Sequence, residues 1–314
     1  MAEPKPSRRR RGRLGTSPKL SRGNPYSLER ARWRRCQLFS LCYTQPLSAL
    51  SRKLSFSDTV RISCGVSGLS YWQYFRKRRG NMKSETIIYW VVSALKPFRR
   101  NKIPPEKKIR GVELYLRGLS YRQTARILKI SHVTVWEAVQ KLAEAVYKPK
   151  ILAVKKQRNF IAVDETVIKI NGKKRYLWAA IDVESKEVLA VWITTVRNWW
   201  VARDFILVVL KSCEGQPVFL VDRASWYKSA FKSLRLGYLH VTFGPRNSVE
   251  RWFRTLKERT KRFWNNFRGK DWRRVHRFVF LFAFWYNFVR IHSSFGDPPG
   301  DVTEWLQEVM PQLS

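Results

Sequence analysis

Acidic residues are scarce in this 314-residue chain: 23 Asp and Glu stand against 62 Lys and Arg, a formal charge of +39. An excess of that size goes beyond what solubility requires. It excludes a cationic partner and makes a polyanion, nucleic acid by default, the expected counter-surface. Cysteine is scarce as well. Cys36, Cys42, Cys64 and Cys213 form no CxxC pair and no CxxC/HxxxH arrangement, which excludes the usual structural zinc sites and leaves free thiols as the expectation. Long apolar runs are missing too. The longest, FVFLFAFWY at residues 278–286, falls far short of the roughly 20 residues a spanning helix needs, so it is expected to be a buried core helix, with no membrane partner. No apolar stretch follows the amino-terminal MAEPKPSRRRRGR. A secretory signal is therefore not read there, and a cytoplasmic protein, nucleoid-associated when on DNA, is expected.

The length suggests about two domains and enough chain for a real core. Residues 1–81 carry 15 Arg and 4 Lys against 3 acids and hold 12 of the 25 serines. They sustain no period of two or 3.6 and offer little to offset ordering entropy, so a basic, low-order extension is expected. A nucleic-acid tail, an appended module, or a reading frame begun upstream of a true start at Met82 would each account for it. The last is favoured, because periodic sequence begins just after Met82.

Residues 82–150 are expected to form a small all-α helix-turn-helix domain. An apolar helix runs from Thr86 to near Pro97, and Pro104-Pro105 opens another at EKKIRGVELYLRG. Residues 119–142 (LSYRQTARILKISHVTVWEAVQKL) then give the helix pair. Ser120 caps the first helix, with Ala125 and Leu128 inward. Lys129-Ile130-Ser131 makes the turn, and Val135, Val139 and Leu142 form the buried side of the second helix. On DNA, His132, Thr134 and Trp136 would reach base edges, with Ser131 beside them and Arg122 on a phosphate. The pattern is degenerate, and a plain helical hairpin is the bland alternative. The surrounding charge favours DNA, whereas Glu137 would be repelled by phosphate.

Residues 151–314 are expected to form the catalytic domain. Three apolar, β-branched runs, 160–170 (FIAVDETVIKI), 175–183 (RYLWAAIDV) and 187–195 (EVLAVWITT), are joined by Asn171-Gly172, a two-residue hairpin signal, and by Glu184-Ser185-Lys186. A helix at 199–211, a strand at 218–222, a helix around 228–236, a strand at 239–243 and a long helix from Ser248 follow. This order describes an α/β fold, a mixed sheet flanked by helices. Asp164 interrupts an apolar strand, where an unpartnered carboxylate is costly. Asp222 ends another strand, at the edge where α/β sheets place ligands. Glu250 opens the last long helix behind Asn247-Ser248, read as its start signal. Its apolar face is assigned to Trp252, Phe253, Leu256, Phe263 and Phe267, and a separate stripe to Glu250, Arg254, Lys257 and Lys261. Were the two strands adjacent and the helix across the same edge, three hard oxygen ligands would meet, suiting one or two Mg²⁺ about 4 Å apart. Asp182, Glu165 and Asp204 are expected to be merely solvated.

The order Asp164, Asp222, Glu250, with Lys257 seven residues on, resembles the DDE signature of transposases and retroviral-type integrases. LVDRASWYKSAF, RNSVERWFRTLKERTKRF and WYNFVRIHSSFGDPP are similar to the stretches around the second Asp, the Glu helix and a downstream "YN…R.H…P" region. Upstream helix-turn-helix and modest size resemble the replicative, cointegrate-forming insertion-sequence transposases of bacteria and archaea, over residues 82–306. The resemblance implies a ribonuclease-H-like catalytic fold and two Mg²⁺, with Mn²⁺ as a substitute, held by Asp164, Asp222 and Glu250. It implies phosphate contacts from Lys257 with Arg254 and Lys261, terminal inverted repeats and target DNA as partners, and a homodimer or higher oligomer. The 28-residue interval from Asp222 to Glu250 is shorter than the family's usual spacing, which keeps Glu258 as a fallback ligand. A DNA-binding regulator without catalysis, or a nuclease that does not join strands, are the rival readings. Arg290 and His292 are candidates for DNA contact, and Trp199, Trp200, Trp226 and Tyr227 for stacking on unpaired bases.

Overall fold

The computed structural model describes residues 84–98, 102–242, 244–261, 266–268 and 271–313. The extension expected over residues 1–81 lies outside them. Four helices come first: α1 (Ser84–Leu95), α2 (Pro105–Leu116), α3 (Tyr121–Leu128) and α4 (His132–Tyr147). Ser120 caps α3 in a full capping box, its side chain accepting from the Gln123 amide while the Gln123 side chain accepts from the Ser120 amide. Lys129 closes α3 in the left-handed region at φ 51°, and Ser131 caps α4 by accepting from the Val133 amide. The turn expected at residues 129–131 is therefore formed by a left-handed C-cap followed at once by an N-cap. Ala125, Val135, Val139 and Leu142 are buried, as their spacing required.

The second region holds β1 (Lys156–Gln157), β2 (Phe160–Ile170), β3 (Lys173–Asp182), β4 (Val188–Thr194), α5 (Trp199–Leu210), β5 (Cys213–Glu214), β6 (Val218–Val221), α6 (Ser225–Leu234), β7 (Tyr238–His240), α7 (Asn247–Thr260), β8 (Asn266–Phe267), α8 (Trp272–Phe288) and α9 (Val302–Val309). The main sheet runs β4-β3-β2-β6-β7, with β8 added to β2. β2, β3 and β4 are antiparallel, whereas β6 lies parallel to β2 and β7 parallel to β6. This is a mixed sheet with helices on it, in keeping with the ribonuclease-H-like fold that the sequence resemblance implies. Asn171 and Gly172, both at positive φ (51° and 74°), close the β2–β3 hairpin between the paired Ile170 and Lys173. Two successive positive φ values fit the twist of paired strands.

One sheet face packs Ile161, Val163, Trp178 and Ala180 against α5 and α6, through Phe205, Ile206, Tyr227 and Phe231. Tyr227 is fully buried, so it cannot stack on a DNA base. The opposite face is covered by α7 and by α8, the apolar run of residues 278–286, whose side chains are all buried as expected. α8 also carries α4 on its other flank. The intervening chain is pinned rather than free. Trp305 Nε1 donates to the Ile151 carbonyl, and Asn287 Nδ2 donates to those of Leu152 and Val188. None of the helices among the described residues is long and apolar enough to cross a membrane.

Two sequence expectations fail here. The helix carrying Glu250 ends at Thr260, and Phe267 leaves it to join β2 through β8, so Phe267 is not on its apolar face. Asn247-Ser248 does not cap that helix either. The chain enters it through a 3₁₀ turn, Gly244–Arg246, and Ser248 Oγ donates back to the Pro245 carbonyl, leaving no side-chain cap.

His276 on α8 is half-buried, with its Nε2 donating to the Val191 carbonyl on β4, 3.2 Å away. Burial holds its pKa below the ordinary imidazole value, with that hydrogen bond opposing. Folding thus favours the neutral ring, and the stability this contributes is complete above the ordinary value and declines as pH falls. Urea midpoints of the native chain should drop from pH 7.5 to 5.5 more steeply than those of His276→Gln. The difference is capped at about 1.4 kcal/mol per pH unit for one proton.

Candidate active site

Asp164 sits mid-strand in β2, which pairs with β6 through Ala162↔Leu220. Continuing that parallel register two residues brings Asp222, just past the carboxyl end of β6, alongside Asp164. Neighbouring strands lie about 4.8 Å apart. The electrostatic consequence is visible: burial raises the Asp164 pKa, Arg246 opposes, and Asp222 adds to the rise. The Asp222 carboxylate accepts from the Ala224 amide at the start of α6, at 3.0 Å, and its carbonyl meets His240 Nδ1 from β7 at 2.9 Å.

α7 crosses this face, packing on β2 and β3 through Val249, Trp252, Phe253 and Leu256. Glu250, Arg254, Lys257 and Lys261 are exposed, as the helical stripe predicted. The link between Glu250 and Asp164 is one that sequence reasoning missed. Arg246 places Nη2 2.9 Å from Asp164 Oδ2 and Nη1 3.5 Å from Glu250 Oε1. The cation that a mid-strand carboxylate demands is this arginine. Its spacing from Glu250, four residues along the helix entry, was the available signal.

Among the described residues no three Asp, Glu, His or Cys are gathered tightly enough to chelate an ion. Two of the acids, Asp164 and Glu250, instead share a guanidinium. Their chemistry nonetheless fits a divalent metal. Three hard oxygen donors come from separate elements, and a cation already stands between two of them. Glu258 is unsuited to replace Glu250. Eight residues further along α7 it lies about 12 Å away, and it accepts from Arg254 Nε at 3.0 Å.

The other candidates are placed as follows. Lys257 Nζ donates to Thr166 Oγ1 at 2.7 Å, tying α7 to β2 two residues beyond Asp164. Arg122, Lys129, Ser131 and His132, with Arg126, line an open concavity of about 540 Å³ beside the helix turn. Thr134 is half-buried, and Trp136 lies 5.9 Å from the Arg274 guanidinium of α8. Exposed Glu137 faces Lys141 at 3.8 Å, so its charge is partly countered. Trp199 and Trp200 stack at 3.8 Å, Trp200 outward, while Trp226 carries the Arg197 guanidinium at 4.4 Å. Arg290 lies over Tyr286 at 5.1 Å, and His292 stacks on Phe295 at 5.0 Å.

Two acids expected to be solvated are buried. Asp182 pairs with Arg158, taking an arginine 24 residues earlier to replace water. Glu165, on the face opposite Asp164, accepts from the Tyr227 hydroxyl at 2.6 Å and pairs with Arg197 at 3.3 Å. Burial raises the Glu165 pKa, with the Tyr227 bond opposing. The phenol is raised far more, first by its own burial and then by Glu165.

A family model described as a DDE domain, of the IS240 transposase type, matches residues 159–283, from the start of β2 into α8. An uncharacterized protein of Methanocaldococcus jannaschii is 39% identical over 209 residues, covering 65% of this chain and 96% of that protein. The transposase for insertion sequence element IS257 in transposon Tn4003 of Staphylococcus aureus is 35% identical over 126 residues, 38% of this chain and 56% of that one. The HTLV-2 integrase catalytic core in complex with magnesium superposes with a TM-score of 0.36 at 13% identity, covering 46% of this chain and 94% of that one. With the DDE domain laid over the strands and helix that carry Asp164, Asp222 and Glu250, and a relative matched over nearly its full length, the chain belongs to the DDE transposases of insertion sequences, a family of polynucleotidyl transferases.

Proposed function

We propose that this protein cuts DNA at the ends of its own insertion sequence and joins the freed ends to target DNA, with Asp164, Asp222 and Glu250 as the metal-holding residues. The observation that carries this reading is the meeting of β2, β6 and α7: two carboxylates on adjacent parallel strands, and a third tied to the first through Arg246. Bound Mg²⁺ or Mn²⁺ would supply the positive charge that activates a hydroxyl and stabilises a leaving oxygen in phosphoryl transfer.

The reaction balances without an external energy source. Cleavage adds water across one phosphodiester, leaving a 3′-hydroxyl and a 5′-phosphate. In joining, the 3′-hydroxyl oxygen forms a bond to a target phosphorus while one target P–O bond breaks, so the number of phosphodiesters is conserved. The residues of the chain divide the remaining work. Lys257, exchanging its Thr166 hydroxyl partner for a phosphate, would fix the DNA along α7, with Arg254 and Lys261 on the same exposed side. His132, Thr134 and Trp136 would read the terminal repeat from the helix pair, with Arg122 on a phosphate and Ser131 holding the reading helix as its cap. Two ends must be paired, so the active species would be at least a dimer. A cytoplasmic location follows from that substrate.

The test is an end-labelled duplex carrying the DNA that flanks the gene, incubated with the full chain and a supercoiled target in Mg²⁺ or Mn²⁺. Metal-dependent nicking followed by covalent joining is expected. Nicking without joining would identify a nuclease, and salt-sensitive binding with neither would identify a regulator.

A further inference from the structure

We propose that Arg246 is a positioning residue of this site: a resident cation that holds the Glu250 helix on the Asp164 strand and surrenders both carboxylates when divalent ions bind. The inference rests on the reading of Asp164, Asp222 and Glu250 as metal ligands.

The chain contains a second buried arginine for comparison, and the two are held differently. Arg158 is locked. Its Nη1 and Nη2 meet Asp182 and Glu187 at 2.9 Å each, its Nε donates to the Ser212 carbonyl, and Nη2 also donates to that of Val154. Arg246 is 8% exposed, nearly as buried, yet its Nε has no hydrogen-bond partner. It meets the two acids instead, one at 2.9 Å and the other at a loose 3.5 Å to a half-exposed Glu250. A buried guanidinium with an unsatisfied donor bears an uncompensated desolvation cost, so its hold is weaker than that of a fully bonded one.

Its place in the chain suits exchange. Arg246 ends the 3₁₀ turn and immediately precedes α7, whose start lacks a side-chain cap. A single side-chain bond, Ser248 Oγ to the Pro245 carbonyl, spans that turn, where Ser120 and Gln123 fix α3 with two. Asp164 Oδ2 faces the guanidinium, and Asp164 Oδ1 already accepts the Glu165 amide. An ion held by Asp164 and Glu250 would therefore compete with Arg246 for the oxygens on that side. Before it binds, the arginine offsets the repulsion between Asp164 and Glu250. Once released, it no longer opposes the ion.

The experiment measures Mn²⁺ alone, by the paramagnetic resonance signal of the free ion, against the full chain and its variants, with thermal midpoints in EDTA. Arg246→Gln should bind Mn²⁺ at least about tenfold more tightly than the native chain, a competition of about 1.4 kcal/mol removed. Its EDTA midpoint should fall, and Mn²⁺ should raise that midpoint more than it raises the native one. Arg246→Lys keeps the charge without the two-pronged fork. It should bind more tightly than the native chain by a smaller factor, and it decides the matter if the Gln variant does not fold without metal. Unchanged or weaker Mn²⁺ affinity in the folded variants, with Asp222→Asn still abolishing binding, overturns the proposal and spares the metal reading. Absence of Mn²⁺ binding in native and variant chains alike removes both.

Discussion

Asp222→Asn is expected to lower the rate of DNA strand cleavage by at least about 10³-fold while leaving the fold intact. Taking away one of three carboxylates removes several kcal/mol of charge stabilisation from a phosphoryl-transfer transition state, and each 1.36 kcal/mol is tenfold in rate. The structural cost is small. Asparagine keeps an oxygen that can accept the Ala224 amide, and the Asp222 carbonyl contact with His240 belongs to the backbone. Electrostatics point the same way, since Asp222 raises the pKa of half-buried Asp164 and its neutralisation relieves that repulsion. The thermal midpoint in EDTA should therefore hold or rise, while cleavage of a labelled duplex in Mn²⁺ disappears. Glu258→Gln, two turns away and paired with Arg254, should cleave normally. Cleavage by Asp222→Asn within tenfold of the native rate would remove Asp222 from the site.

The parts of this arrangement that could be read in the sequence are those set by local chemistry. Strand β2 was delimited by its apolar run and by Asn171-Gly172, because so few residues tolerate two positive φ values in succession. The helix pair was visible through Ser120 and the 129–131 turn for a similar reason. Asp222 stood out because it ends an apolar strand at the edge where α/β sheets place ligands. Partners across the fold were another matter. Asp182 and Glu165 looked solvated because Arg158, Arg197 and Tyr227 lie 24, 32 and 62 residues away, and period and composition carry no information about such pairs. Arg246 was in plain view beside Glu250. What the sequence could not convey was the 3₁₀ entry, which turns that side chain under the helix toward Asp164. Asn247-Ser248 misled for the same reason, since a capping residue is recognised by type, whereas its use depends on how the chain arrives. The Asn of the "YN" stretch shows the converse. Asn287 is fully buried, accepting from the Val188 amide and donating to the Val188 and Leu152 carbonyls, so this family feature is a clamp on the edge of β4.

Arg158→Ala should be the most destabilising single change considered, at about 3–5 kcal/mol, because it strands two buried carboxylates. Arg158 lies just ahead of β2, Asp182 ends β3 and Glu187 precedes β4, so the three tie together one end of the antiparallel strands that carry Asp164. The far side of Glu187 is closely packed. Glu187 is packed against Gly300, where an added Cβ would come within 2.9 Å of Glu187 Oε1 and 2.7 Å of Phe288. Against a total stability of order 5–15 kcal/mol, such a loss would leave a substantial unfolded fraction. The pH dependence distinguishes this cause from lost packing. Burial already raises the Glu187 pKa and Arg158 opposes that rise, so without Arg158 it climbs further. A folded-state pKa above the unfolded value means that stability is complete below the ordinary carboxylate range and is lost as pH increases through the raised one. Denaturant midpoints should therefore show a deficit for Arg158→Ala that is largest near pH 7 and shrinks toward pH 4.5. Pairing Arg158→Met with Glu187→Gln should recover part of it at pH 7 by removing one stranded charge. Asp182 must stay in that design, since it also accepts from the Glu184 amide and the Ser185 hydroxyl to shape the β3–β4 turn. A deficit independent of pH would mean that the arginine contributes bulk rather than charge.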